Sequence, residues 1–347
     1  MANPELQAVF LIEKDVNNEV LWVWSYPGVD GGLRDLLMRK CTLDKEEGVG
    51  PYSYGHHLGH WYYLKNFSTN ESEKLPKVTS FCAGVLAKDF NPEKYEHLSG
   101  IFGQAYLDSG TPVSIVTHFL SVYTKGLTTD VPESCEPFAV SNYDIRKAYV
   151  ACSLKDLVRE FGVETILIYN ALLLKKKVAV YASSTESLLT VCRTLPLLVL
   201  HRKNWDIVYP QLELEEAELA DLLQHGTYVA GFTDSTVEGR TDLYDLFVNV
   251  PEASISVAPQ SKDMFAMTKL HKDIAMRLME CVQDDSLSDQ AVIKELSVKT
   301  RELINNLTTL APKGEKLSLD ILHAKKLTPA TENFLFNLAT VEGLAAL

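Results

Sequence analysis

The sequence predicts a bilobal protein, with an α+β lobe at the N-terminal end and an α/β lobe with extra C-terminal helices after it. Residues 1–127 begin with strand-like apolar runs and end in amphipathic helices. Residues 164–257 instead alternate between helix and strand patterns, which is typical of a mostly parallel sheet covered on both faces. Between these regions, residues 128–144 are polar, contain two prolines and show no period. We therefore predict lobes at 1–127 and 145–347, joined by a linker at 128–144.

The first lobe is expected to be built on an antiparallel sheet. Two apolar runs flank Asn17 and Asn18, a β-hairpin signal. A helical segment, LRDLLMRKCTL, follows, and then come three strand-like runs around SYGHHLG, HWYYLKNF and VTSFCAGVLA. Strict alternation along the second strand would place Leu21, Val23 and Ser25 on one face and Trp22, Trp24 and Tyr26 on the other.

Two helices should complete this lobe, because their start and stop signals are clear. Asn91 and Pro92 supply a cap and a first-turn proline, and Gly110 ends the apolar stripe that follows. Thr111 and Pro112 begin the next helix, which ends at Gly126. Strands followed by helices indicate an α+β lobe.

The aromatic row of the second strand is the best candidate for a partner-binding site. If the two helices pack over Leu21 and Val23, then Trp22, Trp24 and Tyr26 are left at the surface, where Trp and Tyr often anchor protein interfaces. The alternative is that these large aromatic side chains belong to the core. The sequence leaves both interpretations open.

The second lobe opens with a capping pattern at Ser153 and Asp156 and becomes helical from Lys262 onward. One apolar stripe in this helical region contains methionine and recurs at helical spacing: Met267, Leu270, Ile274, Leu278 and Cys281. Such a stripe is commonly core, but a methionine-bearing stripe also suits an adaptable partner groove.

The composition of the chain excludes some classes of binding partner. The chain has 46 acidic and 33 basic side chains and a formal charge of −13, so phosphate backbones should repel it and no nucleic-acid partner is expected. Six scattered cysteines without a Cys-x-x-Cys pair indicate a reducing, cytoplasmic location. No basic and apolar N-terminal signal is evident, and the longest charge-free apolar run is far below the roughly 20 residues a bilayer requires.

No covalent chemistry, cofactor or metal is expected. The sequence contains no dinucleotide fingerprint, Walker loop or nucleophile elbow. The histidines of HHLGH (His56, His57 and His60) have a zinc-like spacing, but the flanking glycines favour a turn between strands. Asp242 and Asp245 precede an apolar strand, where solvated strand-edge carboxylates are commoner than an acid–base pair.

The order of the blocks in the second lobe resembles the DENN domain family. An apolar helix and basic turn run into the strand KKKVAVYASS, and a helix near a Pro and a Trp, a Pro-bearing strand and a Tyr-Val-x-Gly strand follow. The matching positions are Pro196, Trp205, Pro210, Tyr228, Gly231 and Asp245. NNEVLWVWSYP resembles the opening hairpin of the upstream DENN segment, and PATENFLFNLA resembles the closing helix of a small single-module member. The sequence departs from many members at His225, Gly226 and Thr227, where a Pro-x-Pro approach is usual.

This resemblance implies a longin-like first lobe, a Rossmann-like second lobe and a Rab GTPase cradled between them. The Rab would belong to the late endosomal or secretory branch, and the chain would be recruited to late endosomes through protein partners. Guanine nucleotide exchange would need no acid, base or metal from this chain. The resemblance also implies an alternative, a non-catalytic docking subunit of the Commander endosomal-recycling assembly that binds coiled-coil partners. The two functions stay open here, because a fold does not decide between them.

Overall fold

We describe a computed structural model of the chain over residues 2–43, 52–69, 72–311 and 316–346. The chain divides into two compact units. The first unit contains residues 1–149 with 184–186, and the second contains residues 150–183 with 187–347. Within the described ranges, no helix is both long and apolar enough to cross a lipid bilayer.

The first unit is built on an antiparallel sheet whose strand order is β2-β1-β5-β4-β3. Its strands are β1 (Leu6–Asp15), β2 (Val20–Tyr26), β3 (Tyr52–His57), β4 (His60–Ser68) and β5 (Val78–Ala87). The predicted β1–β2 hairpin is present. Its turn is stabilised by Asp15 Oδ1, which accepts the backbone N–H groups of Asn17 and Glu19 at 2.7 and 2.9 Å. Asn18 takes the left-handed conformation that the turn requires (φ 66°).

Helices cover both faces of this sheet. The helices are α1 (Gly31–Lys40), α2 (Pro92–Ser109), α3 (Val113–Lys125) and the short α4 (Ile145–Tyr149). Leu36 and Leu37 of α1 share a buried cluster with Phe10 and Ile12 of β1. On the opposite face, the Tyr106 hydroxyl of α2 donates a hydrogen bond to Glu13. Asn91 caps α2 and Gly110 ends it at a φ of 69°, as the sequence predicts.

The segment predicted as a linker, residues 128–144, lies within the first unit. It contributes to a short ladder between β6 (Leu127–Thr128) and β7 (Phe138–Ala139) and to a 3-10 turn at Val140–Asn142. Phe138 is buried, and its ring stacks on Tyr143 at a centroid distance of 5.3 Å. The division between compact units falls after Tyr149. The linker therefore stays a prediction, and limited proteolysis would test it.

The second unit is built on a mixed, mostly parallel sheet in the order β12-β11-β8-β10-β9. Its strands are β8 (Lys177–Tyr181), β9 (Val208–Leu212), β10 (Tyr228–Phe232), β11 (Leu246–Asn249) and β12 (Ser254–Val257). β12 alone among these five runs antiparallel to its neighbour. The central strands are buried, as their near-continuous apolar sequence predicts. The α+β and α/β fold class is confirmed.

Helices surround this sheet and continue beyond it in the chain. They are α5 (Leu154–Phe161), α6 (Thr165–Leu173), α7 (Thr185–Thr194), α8 (Glu216–Leu222), α9 (Lys269–Gln283), α10 (Asp289–Leu310), α11 (Leu319–Ala324) and α12 (Pro329–Val341). 3-10 turns occur at Gly162–Glu164, Leu195–Arg202, Ser235–Gly239 and Pro259–Phe265. The predicted Ser153 cap is present, because its hydroxyl accepts the N–H of Asp156 at 3.2 Å.

Candidate functional site

The strand β2, which carries the predicted partner-binding residues, is an edge strand that pairs with β1. Its ladder is interrupted in the middle. Leu11 lies opposite Trp24, whereas the next residue of β1, Ile12, lies opposite Trp22. Val23 is therefore an extra residue without a partner on β1, which is the definition of a β-bulge.

The bulge separates the aromatic side chains that regular alternation would place together. Residues directly opposite each other in a ladder project to the same face of a sheet. Trp22 therefore shares the face of Ile12, and Trp24 shares the face of Leu11. The expectation that Trp22, Trp24 and Tyr26 form one row on one face is wrong, because an inserted residue shifts the alternation by one.

Trp22 is part of the packed face under α1. Its ring stacks on Phe10, with centroids 4.9 Å apart, and the Arg34 guanidinium lies 5.1 Å from its centroid. It is half-buried and packs against the cluster that contains Leu36 and Leu37. For Trp22 these contacts favour the core interpretation over the interface interpretation.

Tyr26 lies on the other face, against α3. Its ring meets Phe119 edge-on at 5.6 Å, and Phe119 stacks on Tyr123 at 6.0 Å. Phe119 is buried, whereas Tyr26 and Tyr123 are 40% and 45% exposed. Trp24, on the same face as Tyr26, is half-buried.

Leu21 and Val23 are not covered by helices, contrary to the expectation, since they are 48% and 42% exposed. Leu21 lies opposite Glu13 and so shares the α2 face with Trp24 and Tyr26. We define the aromatic surface as the four accessible side chains on this face: Leu21, Trp24, Tyr26 and Tyr123. Tyr26 and Tyr123 are connected through Phe119, and exposed aromatic side chains of this kind are typical of protein interfaces. Partner binding at Trp22, Trp24 and Tyr26 stays a prediction.

The HHLGH segment forms a strand-to-strand turn, as predicted. β3 ends at His57, a two-residue turn contains Leu58 and Gly59, and His60 begins β4. His56 is buried and stacks on Trp61 at 4.7 Å, whereas His60 Nδ1 lies 2.7 Å from Gln7 Oε1. Among the described residues, no three His, Cys, Asp or Glu side chains are grouped as metal ligands would be.

The two acids considered as a pair, Asp242 and Asp245, have separate structural roles. Asp242 is bound by Arg240 Nε at 2.9 Å, and this hydrogen bond lowers the pKa of the carboxyl group. Asp245 accepts the N–H of Lys177 at 2.9 Å and the hydroxyl of Ser261 at 2.6 Å, which fixes the start of β8 to the loop before β11. The two carboxylates are therefore held by different partners.

Arg202, in the basic segment His201, Arg202 and Lys203, also has a structural role. Arg202 donates to the carbonyl oxygens of Leu172 and Leu173 at 2.7 and 2.8 Å, and it contacts Glu342. It therefore caps the C-terminal end of α6 and ties that end to the segment after α12. The Arg202 side chain is largely enclosed, with 17% of it exposed.

The residues that carry the DENN resemblance have structural roles in the second unit. Trp205 is buried and donates from Nε1 to the carbonyl of Arg193 at 3.0 Å. Tyr228 donates its hydroxyl to the carbonyl of Leu243. A Cβ at Gly231 would lie 2.5 Å from the Pro210 carbonyl oxygen, so the close approach of the paired strands β9 and β10 requires glycine here. These residues indicate the fold rather than a reaction.

One feature that the sequence left open is a groove between α9 and α10, with a volume of about 610 Å³. It is lined by Leu270, Ile274, Leu278 and Cys281 of the methionine-bearing stripe. The signal was present in the sequence, but a helical stripe that lines a groove has the same spacing as one that is fully buried.

Comparison with known proteins identifies the family. A family model described as "SPA: Stabilization of polarity axis" matches residues 152–259. DENN domain-containing protein 10 of Danio rerio is 44% identical over 348 residues, covering 99% of each chain. The human protein of that name is 42% identical over 340 residues, covering 96% of this chain and 95% of its own. The Dictyostelium discoideum protein of that name is 34% identical over 357 residues, covering 97% of each. With such similarity along nearly its whole length, the chain belongs to the DENN domain family, in the group of DENN domain-containing protein 10.

Proposed function

We propose that this chain regulates late endosomal membrane trafficking by binding a Rab GTPase of the late endosomal or secretory branch and favouring its nucleotide-free state. Membership of the DENN family along 95% or more of the relatives' length carries the proposal. The family resemblance implies the Rab as partner and the exchange of GDP for GTP as the activity.

Exchange of this kind is a binding effect and not bond chemistry. A factor that binds the empty GTPase better than the loaded one weakens bound nucleotide by the same factor. Coupling between two ligands of one protein is typically about 1–3 kcal/mol, or roughly 5- to 150-fold in affinity. Separate structural roles for Asp242 and Asp245 are compatible with such a mechanism, because it needs no proton transfer from this chain.

The aromatic surface supplies a physical basis for partner binding. Trp24, Tyr26 and Tyr123 offer large, rigid apolar contact area, and tryptophan and tyrosine are enriched among the residues that dominate binding energies. Because these side chains are partly exposed, a partner that covers them would bury further apolar area, which favours binding. We propose this surface as part of the Rab contact.

The direct test is release of fluorescent GDP from a panel of purified Rab proteins, with and without this protein. We expect release from at least one late endosomal or secretory Rab to accelerate in proportion to the protein concentration. Binding of the nucleotide-free forms should be measured on the same panel. If no nucleotide-free Rab binds, the proposal fails, and the docking role in the Commander assembly is then tested by affinity purification from cytosol.

A further inference from the structure

The groove between α9 and α10 has a regular geometry. The two helices are antiparallel neighbours, and Arg277 Nε of α9 meets Glu295 Oε1 of α10 at 2.6 Å across it. From Leu270 to Cys281 the lining covers eleven helical steps, or about 17 Å at the usual rise of about 1.5 Å per residue. This is the length of about three helical turns. We call it the α9–α10 groove.

The lining residues of both helices follow the spacing of a coiled coil. On α9 the spacing is four, three and four residues, at Leu270, Ile274, Arg277 and Cys281. On α10 it is four, three, four and three, at Val292, Leu296, Lys299, Leu303 and Asn306. Alternating spacings of three and four place side chains along one seam, into which the side chains of another helix can insert.

The floor of the groove is apolar and incompletely covered. Leu278, Val292 and Leu296 are buried, whereas Ile274 and Leu303 are only half-buried. The groove above these side chains has a volume of about 610 Å³. This geometry favours the partner-groove interpretation for Leu270 and Ile274, and the core interpretation for Leu278 and Cys281.

The rim of the groove carries an acidic excess at regular positions. Three carboxylates line the groove: Asp273, Glu295 and Glu302. Glu280 does not line it but is paired with the lining residue Arg277. The two acids on each helix are seven residues apart, and each of the four directly precedes a seam position. In coiled coils these flanking positions hold the charged residues that choose the partner. Arg277 is held by Glu280 and Glu295, and Lys299 by Glu302. Four carboxylates against these two cations leave an excess of two negative charges.

We infer that the α9–α10 groove is a docking site for a single amphipathic helix of a partner protein, with an apolar stripe flanked by Lys or Arg. The spacing supplies the holes for an apolar stripe that recurs every three or four residues. The acidic rim supplies charge complementarity and selects against helices with acidic flanks. This site is additional to the Rab contact proposed above and does not depend on it.

The test uses the full chain and a designed peptide of about 21 residues, long enough to be helical when bound. The peptide has Ile and Leu at the two seam positions of each heptad and Lys at both flanking positions, where like charges discourage the peptide from pairing with itself. The matched control peptide keeps the apolar stripe and has Glu in place of each Lys. We expect the Lys peptide to bind at least about tenfold more tightly in fluorescence anisotropy.

Protein variants locate the binding. Leu303→Asp should weaken the Lys peptide by about tenfold or more, because it places a charge on the apolar floor. Met276→Asp is the matched control on α9, since Met276 is 62% exposed and is not among the groove-lining residues. It should leave the affinity unchanged. Thermal unfolding of each variant shows whether the fold is retained.

Glu302→Lys keeps the test decisive if Leu303→Asp does not fold, because the Glu302 side chain is 55% exposed. It should weaken the Lys peptide and strengthen the Glu peptide. Equal binding of the two peptides, no binding of the Lys peptide, or an unchanged affinity in Glu302→Lys would overturn the proposal. Two peptides per protein in sedimentation would indicate that the groove binds a two-stranded coiled coil. Self-association of the protein would indicate that the groove binds a second copy of this chain. Either result also overturns the proposal.

Discussion

The two halves of β2 both carry aromatic side chains but lie in different environments. Before the bulge, Trp22 stacks on Phe10 beneath α1; after it, Tyr26 lies half-exposed against Phe119 of α3. Trp22, Trp24 and Tyr26 recur at every second position along the whole strand, and the extra residue Val23 separates the first from the other two. One inserted residue thus turns a continuous aromatic row into a packing residue on one face and an accessible surface on the other.

The largest effect is expected for Trp22→Ala. Removing a core tryptophan costs about 3–5 kcal/mol in the free energy of unfolding, and we expect the lower end, roughly 3 kcal/mol, because Trp22 is half-buried. Denaturant unfolding measures it. A loss below about 1 kcal/mol would be typical of a surface substitution. It would show that Trp22 is not a packing residue.

The next effect concerns the accessible half. Trp24→Asp with Tyr26→Ser should lower the unfolding free energy by about 1–2 kcal/mol, since both side chains are partly exposed. It should also remove the protein partner that the aromatic surface binds. Thermal unfolding beside a pulldown from cytosol separates the two. Early melting, comparable to that of Trp22→Ala, would refute the interface assignment.

Deleting Val23 is expected to have the smallest effect and tests the comparison itself. Without the extra residue, Trp22 and Trp24 can keep their partners Ile12 and Leu11 in a regular ladder. We therefore expect the unfolding free energy to change by less than about 1 kcal/mol. In an unbulged strand, the same deletion would turn one half of the strand over. A loss as large as that of Trp22→Ala would contradict the bulge.

Much of the fold follows from local signals that can be read directly from the sequence. Asn91, Gly110 and Ser153 mark helix ends, and the apolar runs of β8 and β10 predict a buried parallel sheet. The bulge is different, because Val23 is an ordinary strand residue and its status depends on its pairing with β1. The sequence also could not decide between a groove and a core for the α9 stripe. Ile274 and Leu278 share this stripe, but Leu278 is buried and Ile274 is not.

The most direct test of the proposed function is the affinity of nucleotide-free Rab proteins for the wild type, for Trp24→Asp with Tyr26→Ser, and for the control Met276→Asp. We predict that the wild type and the control bind the same Rab with equal affinity. The double variant should bind it at least about tenfold more weakly while remaining folded, as expected when central aromatic anchors are lost. Equal binding by all three proteins would contradict a Rab contact at the aromatic surface, and no binding by the wild type to any Rab would contradict the proposed function.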